Sequence, residues 1–405
     1  MSFEDEVVEN EVYEELLEKQ EEAKLACESL ERSFDTYFAL EDLYEEASKP
    51  SSNKKLISIA TEMAVLGTNV SPTVLYNPEL SLEDIAQRKS NFITQIYDSI
   101  KQSIQKNIEL NHYLLSYFNI QKSRLNKIKK QLNQLSNNDS ATVSIHLSKY
   151  MLIGKHASPV RDMDEYLIEY KKMAGVMLPF IKSIKELTDD DLFTTLTMLK
   201  HMITFSSDKY FEDRFDSLEK AILDASRSSH LKVEERKTQY TTYASDLLLG
   251  LSQVVITMPN KAIYNRNDHA SMVDSLKHFY MYVYRTDKFR VTSLIKGSER
   301  FEISVKTAKE LLEINEELLD AVNSLLDMST SLSTSLTQYT NAVYHVQTFR
   351  DKTEDYNPGG VFRSTRILNR ISAIIYESVA SSYNFSLGNL KKSSSITESL
   401  ISKLN

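Results

Sequence analysis

The chain has 405 residues, of which 41% are hydrophobic, and its 48 basic and 57 acidic residues give a net charge of −9. That hydrophobic fraction is too high for a disordered chain, and only eight glycines and seven prolines interrupt the sequence. Such sparse interruption favours long helices, because helix interiors exclude both residues. A single cysteine, Cys27, excludes an intramolecular disulfide and fits a reducing compartment.

No segment predicts export or membrane insertion. Residues 1–6 are acidic and lack the apolar stretch of a secretory signal. The most apolar window, residues 247–258, is shorter than the about 20 residues that a membrane span needs. We therefore expect a mainly α-helical, soluble protein with no membrane partner.

Charge sets the N-terminal segment apart. Residues 1–50 contain 17 acidic and four basic residues, whereas residues 51–405 contain 40 acidic and 44 basic ones. Residues 11–47 are predicted to form one acidic helix, because apolar residues such as Leu16, Leu30 and Phe34 recur at helical spacing. Its glutamate-rich face lies either in solvent or on a basic surface. We assign residues 1–50 as an acidic helical N-terminal segment.

Residues 51–83 are predicted to hold a short helix and a connector. The helix is expected over residues 54–66, because a glycine such as Gly67 commonly follows a helix end. Pro72 and Pro78 indicate an extended connector on the surface over residues 68–80.

The third segment, residues 84–260, carries the clearest helical periodicity. Ser81 is a suitable N-cap for a long helix over about residues 84–135, with a break expected between residues 112 and 119. The apolar stripe of this helix consists of isoleucines spaced by three or four residues: Ile93, Ile96, Ile100, Ile104 and Ile108. Further helices are expected over residues 162–187, 189–205, 211–226 and 234–251.

The fourth segment, residues 261–405, is predicted to be a C-terminal helical region, with helices over residues 305–326, 328–340 and 363–383. Alternation of apolar and polar residues predicts a strand over residues 143–148 and, more weakly, another over residues 288–294. The predicted fold class is therefore mainly α: an elongated multi-helix bundle with one long helix (about 84–135) and at most a small β element.

The sequence offers no catalytic, cofactor-binding or metal-binding residues that we would assign, so we expect a non-enzymatic protein. Glu109 and His112 have the spacing found in di-iron bundles, but a second such pair is missing and a helix-surface pair is the simpler explanation. Nucleotide-binding glycine loops and nucleophile elbows are also missing. Cys27 lies among carboxylates, which raise a thiol pKa, so we expect it to be inert.

Two groups of basic residues are candidates for anion binding. Near the end of the long helix, five of them could contact nucleic-acid phosphates nonspecifically; the alternative is that they complement the helix dipole. These residues are Lys122, Arg124, Lys127, Lys129 and Lys130. Residues 357–360, followed by Arg363, Arg366 and Arg370, form either an anion site at a helix start or a plain loop.

Four stretches, in this order along the chain, resemble one family: the internal head proteins of large tailed bacteriophages, which are packaged in the capsid with the genome. They are residues 58–67 (SIATEMAVLG), 78–83 (PELSLE), 145–155 (IHLSKYMLIGK) and 258–263 (MPNKAI). The last stretch lacks a glycine that the family pattern carries after its proline. The C-terminal 75 residues show no such resemblance.

The resemblance implies a precursor whose acidic N-terminal segment directs it into the assembling prohead. A maturation protease would then cleave after Ser/Ala/Gly-x-Glu, and the candidate positions are Glu28, Glu31, Glu41 and Glu83. We favour Glu83, because an extended connector is accessible to a protease.

The implied partners are prohead and capsid proteins, the maturation protease and, nonspecifically, the packaged DNA. The implied location is the interior of the virion, with the host cytoplasm during assembly. The alternative interpretation is a cytosolic helical or coiled-coil scaffold or adaptor, whose long helix pairs with a partner helix.

Overall fold

The computed structural model describes residues 3–49, 82–155, 157–187, 220, 223–224, 226–260, 276, 278–285, 297–349 and 358–405. Within these ranges lie five long helices: α1 (Phe3–Ala47), α2 (Leu82–Leu132), α3 (Met163–Leu187), α4 (Val305–Phe349) and α5 (Pro358–Leu404). The strands are β1 (Ser140–His146), β2 (Leu152–Ile153), β3 (Ser158–Pro159), β4 (Lys232–Arg236), β5 (Tyr240–Ala244), β6 (Ser252–Pro259), β7 (Tyr280–Arg285) and β8 (Ser298–Ser304).

Helix α2 packs against α1, α4 and α5 and runs without interruption. Its apolar stripe continues through the predicted break, where Leu114, Tyr117 and Phe118 are all buried. The expected break is therefore wrong, because the residues there keep packing against the core and include no proline or glycine.

The acidic helix α1 lies antiparallel along α2 and belongs to the core. Leu16, Phe34 and Leu40 have no exposed surface. On the rim of this contact, the Nζ atom of Lys106 lies 2.9 Å from a carboxylate oxygen of Glu22. The acidic segment thus docks on its own chain through a buried apolar face, while most of its carboxylates remain at the surface.

Helices α4 and α5 complete the bundle around α2 and α3. Polar contacts join them inside the core: Tyr170 donates a hydrogen bond to Asn315 Oδ1 (2.6 Å), and Asn315 Nδ2 donates to Ser393 Oγ (3.1 Å). One continuous cluster of buried apolar residues contains parts of all five helices and of β1, β6, β7 and β8.

The predicted fold class is wrong about the extent of β structure. The described residues contain a four-stranded antiparallel sheet in the order β4–β5–β6–β7 and two antiparallel pairs, β1 with β8 and β2 with β3. The strand predicted over residues 143–148 is confirmed for residues 143–146, which belong to β1. The helix predicted over residues 234–251 is wrong, since those residues contribute to β4 and form all of β5.

The physical reason for this error lies in the strands themselves. Strand β4 is exposed at every position and strand β6 is buried at most positions, so neither shows the alternation of a half-buried strand. Several other predicted elements fall wholly or largely outside the described residues. They are the helices over residues 54–66, 189–205 and 211–226, the connector over residues 68–80 and the strand over residues 288–294.

The four-stranded sheet is attached to α5 along β7. The hydroxyl of Ser378 donates a hydrogen bond to the carbonyl of Met281, and the amide of Val283 donates to Ser381 Oγ (3.2 Å). Helix α5 thereby satisfies backbone groups at the free edge of β7, which would otherwise attract another strand. Tyr280 and Val283 of β7 thereby line a cavity that residues of α1 and α5 also line.

Candidate functional site

Two residues of the predicted basic run form ion pairs with acidic residues of the same chain. Arg124 makes a two-pronged contact with Glu398, with nitrogen–oxygen distances of 3.0 and 2.7 Å, and its side chain is only 8% exposed. The Nζ atom of Lys129 lies 2.6 Å from a carboxylate oxygen of Glu316 and is more exposed. Arg124 therefore fastens α2 to α5 and is not free to reach an external phosphate, whereas Lys129 pairs with Glu316 of α4 at the surface.

The remaining three lysines of the run, Lys122, Lys127 and Lys130, are exposed and lie along one side of α2. We refer to them as the lysine strip. They line a shallow surface depression of about 450 Å³, whose other described lining residues are Asn119, Ser123 and Asn126. None of these lining residues is acidic, so the depression is positively charged and rich in hydrogen-bond donors.

The predicted processing positions lie in different settings. Glu28, Glu31 and Glu41 are inside α1, and Glu31 Oε2 is 3.3 Å from Arg366 Nε. Glu83 is exposed in the first turn of α2. The expectation that Glu83 lies in an extended connector is wrong, because the bond after Glu83 is inside the first turn of α2. Cleavage there would require opening only this terminal turn, whereas the first three positions would require unfolding part of α1, which is packed on α2. Glu83 therefore stays the favoured prediction.

The other candidate motifs have structural partners. Glu109 is 3.0 Å from Lys106, and this contact lowers the pKa of the Glu109 carboxyl. Arg366, one of the predicted anion-binding arginines, is held by Glu31 and Asp35 of α1. Within the part of the chain that the structure describes, no group of three or more His, Cys, Asp or Glu residues could hold a metal ion.

A groove bounded by α1, α2 and α5 has a volume of about 1,070 Å³. Helices α1 and α5 run antiparallel and are joined by side chains near each end of the groove. Asn384 Nδ2 donates to Gln20 Oε1 at one end (2.7 Å), and Arg366 contacts Glu31 at the other. Between these contacts the floor is formed by α2, through Ser103, Asn107 and Leu110.

Four buried polar atoms without a partner belong to side chains that line this groove. Among the described residues, Gln20 Nε2, Asn369 Nδ2, Arg370 Nε and Asn384 Oδ1 are buried and lack a hydrogen-bond partner, and all four side chains line the groove. Leaving a buried polar atom unpaired costs about 1–3 kcal/mol. Four such atoms around one cavity are therefore an arrangement that a bound polar molecule would complete.

The charges in the groove are closely balanced. Its described lining contains four basic residues (Lys24, Arg32, Lys149 and Arg370) and four acidic ones (Glu21, Glu28, Glu31 and Glu377). Burial raises the pKa of the Glu31 carboxyl, although Arg366 and Arg370 oppose this change. Burial also raises the pKa of the Cys27 thiol, whose Sγ lies 3.3 Å from Ser103 Oγ. The raised thiol pKa agrees with the expectation of an unreactive cysteine at neutral pH.

This groove could not be predicted from the sequence, because its walls come from residues that are far apart in the chain. A weak signal existed: Gln20 and Cys27 interrupt the inward-facing positions of α1, and Arg370, Ser381 and Asn384 do the same in α5. Polar residues at such positions need partners, and those partners can be identified only in three dimensions.

Comparisons with protein-family models, with curated proteins and with solved structures gave no match to this chain. None of the described helices has a stretch long and apolar enough to cross a membrane.

Proposed function

We propose that the chain is a non-enzymatic structural protein of a phage head interior and lies against the packaged DNA through the lysine strip. The resemblance of four ordered stretches to internal head proteins supports the location. The observation that carries the contact with DNA is the division of the basic run, in which Arg124 and Lys129 pair within the chain while Lys122, Lys127 and Lys130 remain outside.

The lysine strip matches a phosphate backbone in charge and length. Lys122 and Lys130 are eight residues apart, which corresponds to about 12 Å along the helix. Phosphates of one DNA strand follow one another at about 3.4 Å along the duplex axis, so the strip would face three or four of them. The nearby Asn119 and Asn126 amides add donors for phosphate oxygens but no base-specific geometry. The expected binding is therefore independent of sequence.

The salt dependence of DNA binding tests this contact. We expect that replacing Lys122, Lys127 and Lys130 with Gln reduces the slope of log affinity against log salt by about 2.7, because each neutralised phosphate contributes about 0.9. The measurement is fluorescence anisotropy of a labelled 30-base-pair duplex between 20 and 200 mM salt. The matched control is the triple Gln variant at Lys182, Lys185 and Lys403, three exposed lysines elsewhere. If the salt slope fell equally in both variants, the change would reflect the net charge of the protein alone. That result would refute a contact between the lysine strip and DNA.

The location is tested separately by mass spectrometry of purified particles of the phage that encodes the chain. The proposal predicts that the chain is present inside particles and resists external protease until the heads are opened. Absence from the particles would refute the location even if the lysine strip binds DNA. The same measurement shows whether the chain is cleaved, because a packaged chain that begins at Asp84 would indicate cleavage after Glu83.

The alternative, a cytosolic scaffold that pairs its long helix with a partner helix, has less support. The apolar stripe of α2, including Ile96, Ile100 and Leu125, is buried within the chain. A partner helix would have to displace α1, α4 or α5 to reach it. A scaffold that binds through another surface remains compatible with this packing.

A further inference from the structure

We infer that the groove between α1, α2 and α5 is a binding site for an extended, uncharged peptide segment of about six residues. This inference does not depend on the proposed function, since the groove lies on a different surface from the lysine strip. It is supported by the length of the groove, the chemistry of its unpaired atoms and its balanced charge.

The length of the groove fits an extended chain. Arg370 and Asn384 mark its two ends on α5, and 14 residues of helix correspond to about 21 Å. An extended peptide advances about 3.3 Å per residue, so six residues span this distance. The volume of about 1,070 Å³ is at the upper end of the range for ligand pockets, about 300–1,000 Å³. It is far larger than one or two structural waters need, at about 30 Å³ each.

At the end of the groove formed by Gln20 and Asn384, the unpaired atoms are complementary to a peptide group. One hydrogen bond joins the two side-chain amides, which leaves Gln20 Nε2 as an unpaired donor and Asn384 Oδ1 as an unpaired acceptor. One donor and one acceptor remain even if both amides are turned round. A peptide carbonyl and the neighbouring peptide N–H supply the acceptor and the donor that these two atoms lack.

The Asn369–Arg370 end offers two unpaired donors on adjacent residues, Asn369 Nδ2 and Arg370 Nε. Two donors suit a carbonyl oxygen, which has two lone pairs. A carboxylate would fit less well, because Glu31 already lies beside Arg366 and Arg370. The four basic and four acidic residues of the lining likewise favour a ligand without net charge.

Aromatic rings along the groove would contact the side chains of such a peptide. Tyr13, Tyr150, Tyr280, Tyr376 and Phe385 belong to the lining. Rings of this kind provide apolar contact area at low conformational cost, since each has two rotatable bonds. The peptide would thus be held by hydrogen bonds at both ends and by apolar contacts between them.

The test uses the full-length chain and a pooled library of N-acetylated, C-amidated hexapeptides without ionisable side chains. Peptides that remain bound during rapid gel filtration are identified by mass spectrometry, and the affinity of the best one is measured by calorimetry. We expect Arg370→Met and the double variant Gln20→Leu/Asn384→Leu each to weaken that peptide by at least fivefold. Arg300→Met is the matched control, because Arg300 is exposed on β8 outside the groove.

A second arm keeps the sequence unchanged and so does not depend on how well the variants fold. Cys27 is the sole cysteine and lines the groove. Because burial raises the pKa of the Cys27 thiol, we expect excess N-ethylmaleimide at pH 8.5 to modify it only slowly in the native chain. We expect the bound peptide to slow this reaction further and the modified chain to lose the peptide.

Three results would overturn the inference. The first is that the wild type retains no hexapeptide at 1 mM peptide. The second is that the groove variants bind the peptide as well as the Arg300→Met control does. The third is that the bound peptide does not slow Cys27 modification and the modified chain still binds the peptide.

Discussion

Truncating Phe34 tests whether the acidic helix is an integral layer of the fold. Phe34 has no exposed surface and packs beside Phe38, with ring centroids 6.5 Å apart. A buried aromatic ring removes about 150–250 Å² from water, which at about 25 cal/mol per Å² corresponds to about 4–6 kcal/mol. Observed costs of Phe→Ala in protein cores are about 3–5 kcal/mol, and we expect Phe34→Ala to lower the free energy of unfolding by this amount.

The assay is equilibrium unfolding in urea, followed by circular dichroism, of the full-length chain. Leu25→Ala in the same helix is the control, because Leu25 is 50% exposed and its truncation should change stability by less than about 0.5 kcal/mol. If Phe34→Ala changed the midpoint no more than Leu25→Ala, α1 would not be packed as described. A separate early transition that only Phe34→Ala shifts would show that α1 unfolds independently of the rest.

Three further predictions concern contacts inside the bundle. Arg124→Met should destabilise the chain by about 1.5–3 kcal/mol in urea unfolding, because it removes charge-assisted hydrogen bonds between a mostly buried guanidinium and the partly buried Glu398. Lys129→Met at an exposed pair should cost less than about 1 kcal/mol, and similar losses would contradict this ranking. Burial lowers the pKa of Lys392 to about 8, so below pH 8 the folded state holds a charge that burial disfavours. The lysine has a pKa of about 10.5 in the unfolded chain, so the free energy of unfolding of the wild type minus that of Lys392→Met should increase between pH 8 and about 10.5. Calorimetry at several pH values measures this difference, and a difference that does not change with pH would refute the prediction. A methyl group on Gly388 would overlap the Tyr150 ring, so Gly388→Ala should lower the melting temperature and adding Tyr150→Leu should restore part of the loss; no restoration would mean that the ring is not the obstacle.

The candidate sites were predictable to very different degrees. The basic run was visible as five cations near the end of a predicted helix, but the sequence could not show that Arg124 and Lys129 pair with acidic residues of other helices. That division depends on Glu398 and Glu316, which lie 274 and 187 residues away. The groove was not predicted at all, because it exists only where α1 and α5 approach each other.

The sheet was also beyond the reach of local patterns. A strand is recognised from alternation when one face is buried and the other exposed, as in β1. Strand β4 is exposed throughout, and β6 is an apolar run that resembles a buried helix segment. Their identity as strands depends on pairing with β5, and β6 pairs also with β7, whose paired residues lie 23 to 33 positions further along the chain.

The sequence by itself determined the helical character of the chain, the extent of α2 to within a few residues and the concentration of acidic residues in α1. These features depend on neighbouring residues, whose helical spacing and charge can be read directly. Only the tertiary structure decided that α1 belongs to the core, that four strands form a sheet attached to α5, and that unpaired polar atoms share one groove. Those features depend on contacts between distant residues, and their free energy is gained only when the whole chain brings the partners together.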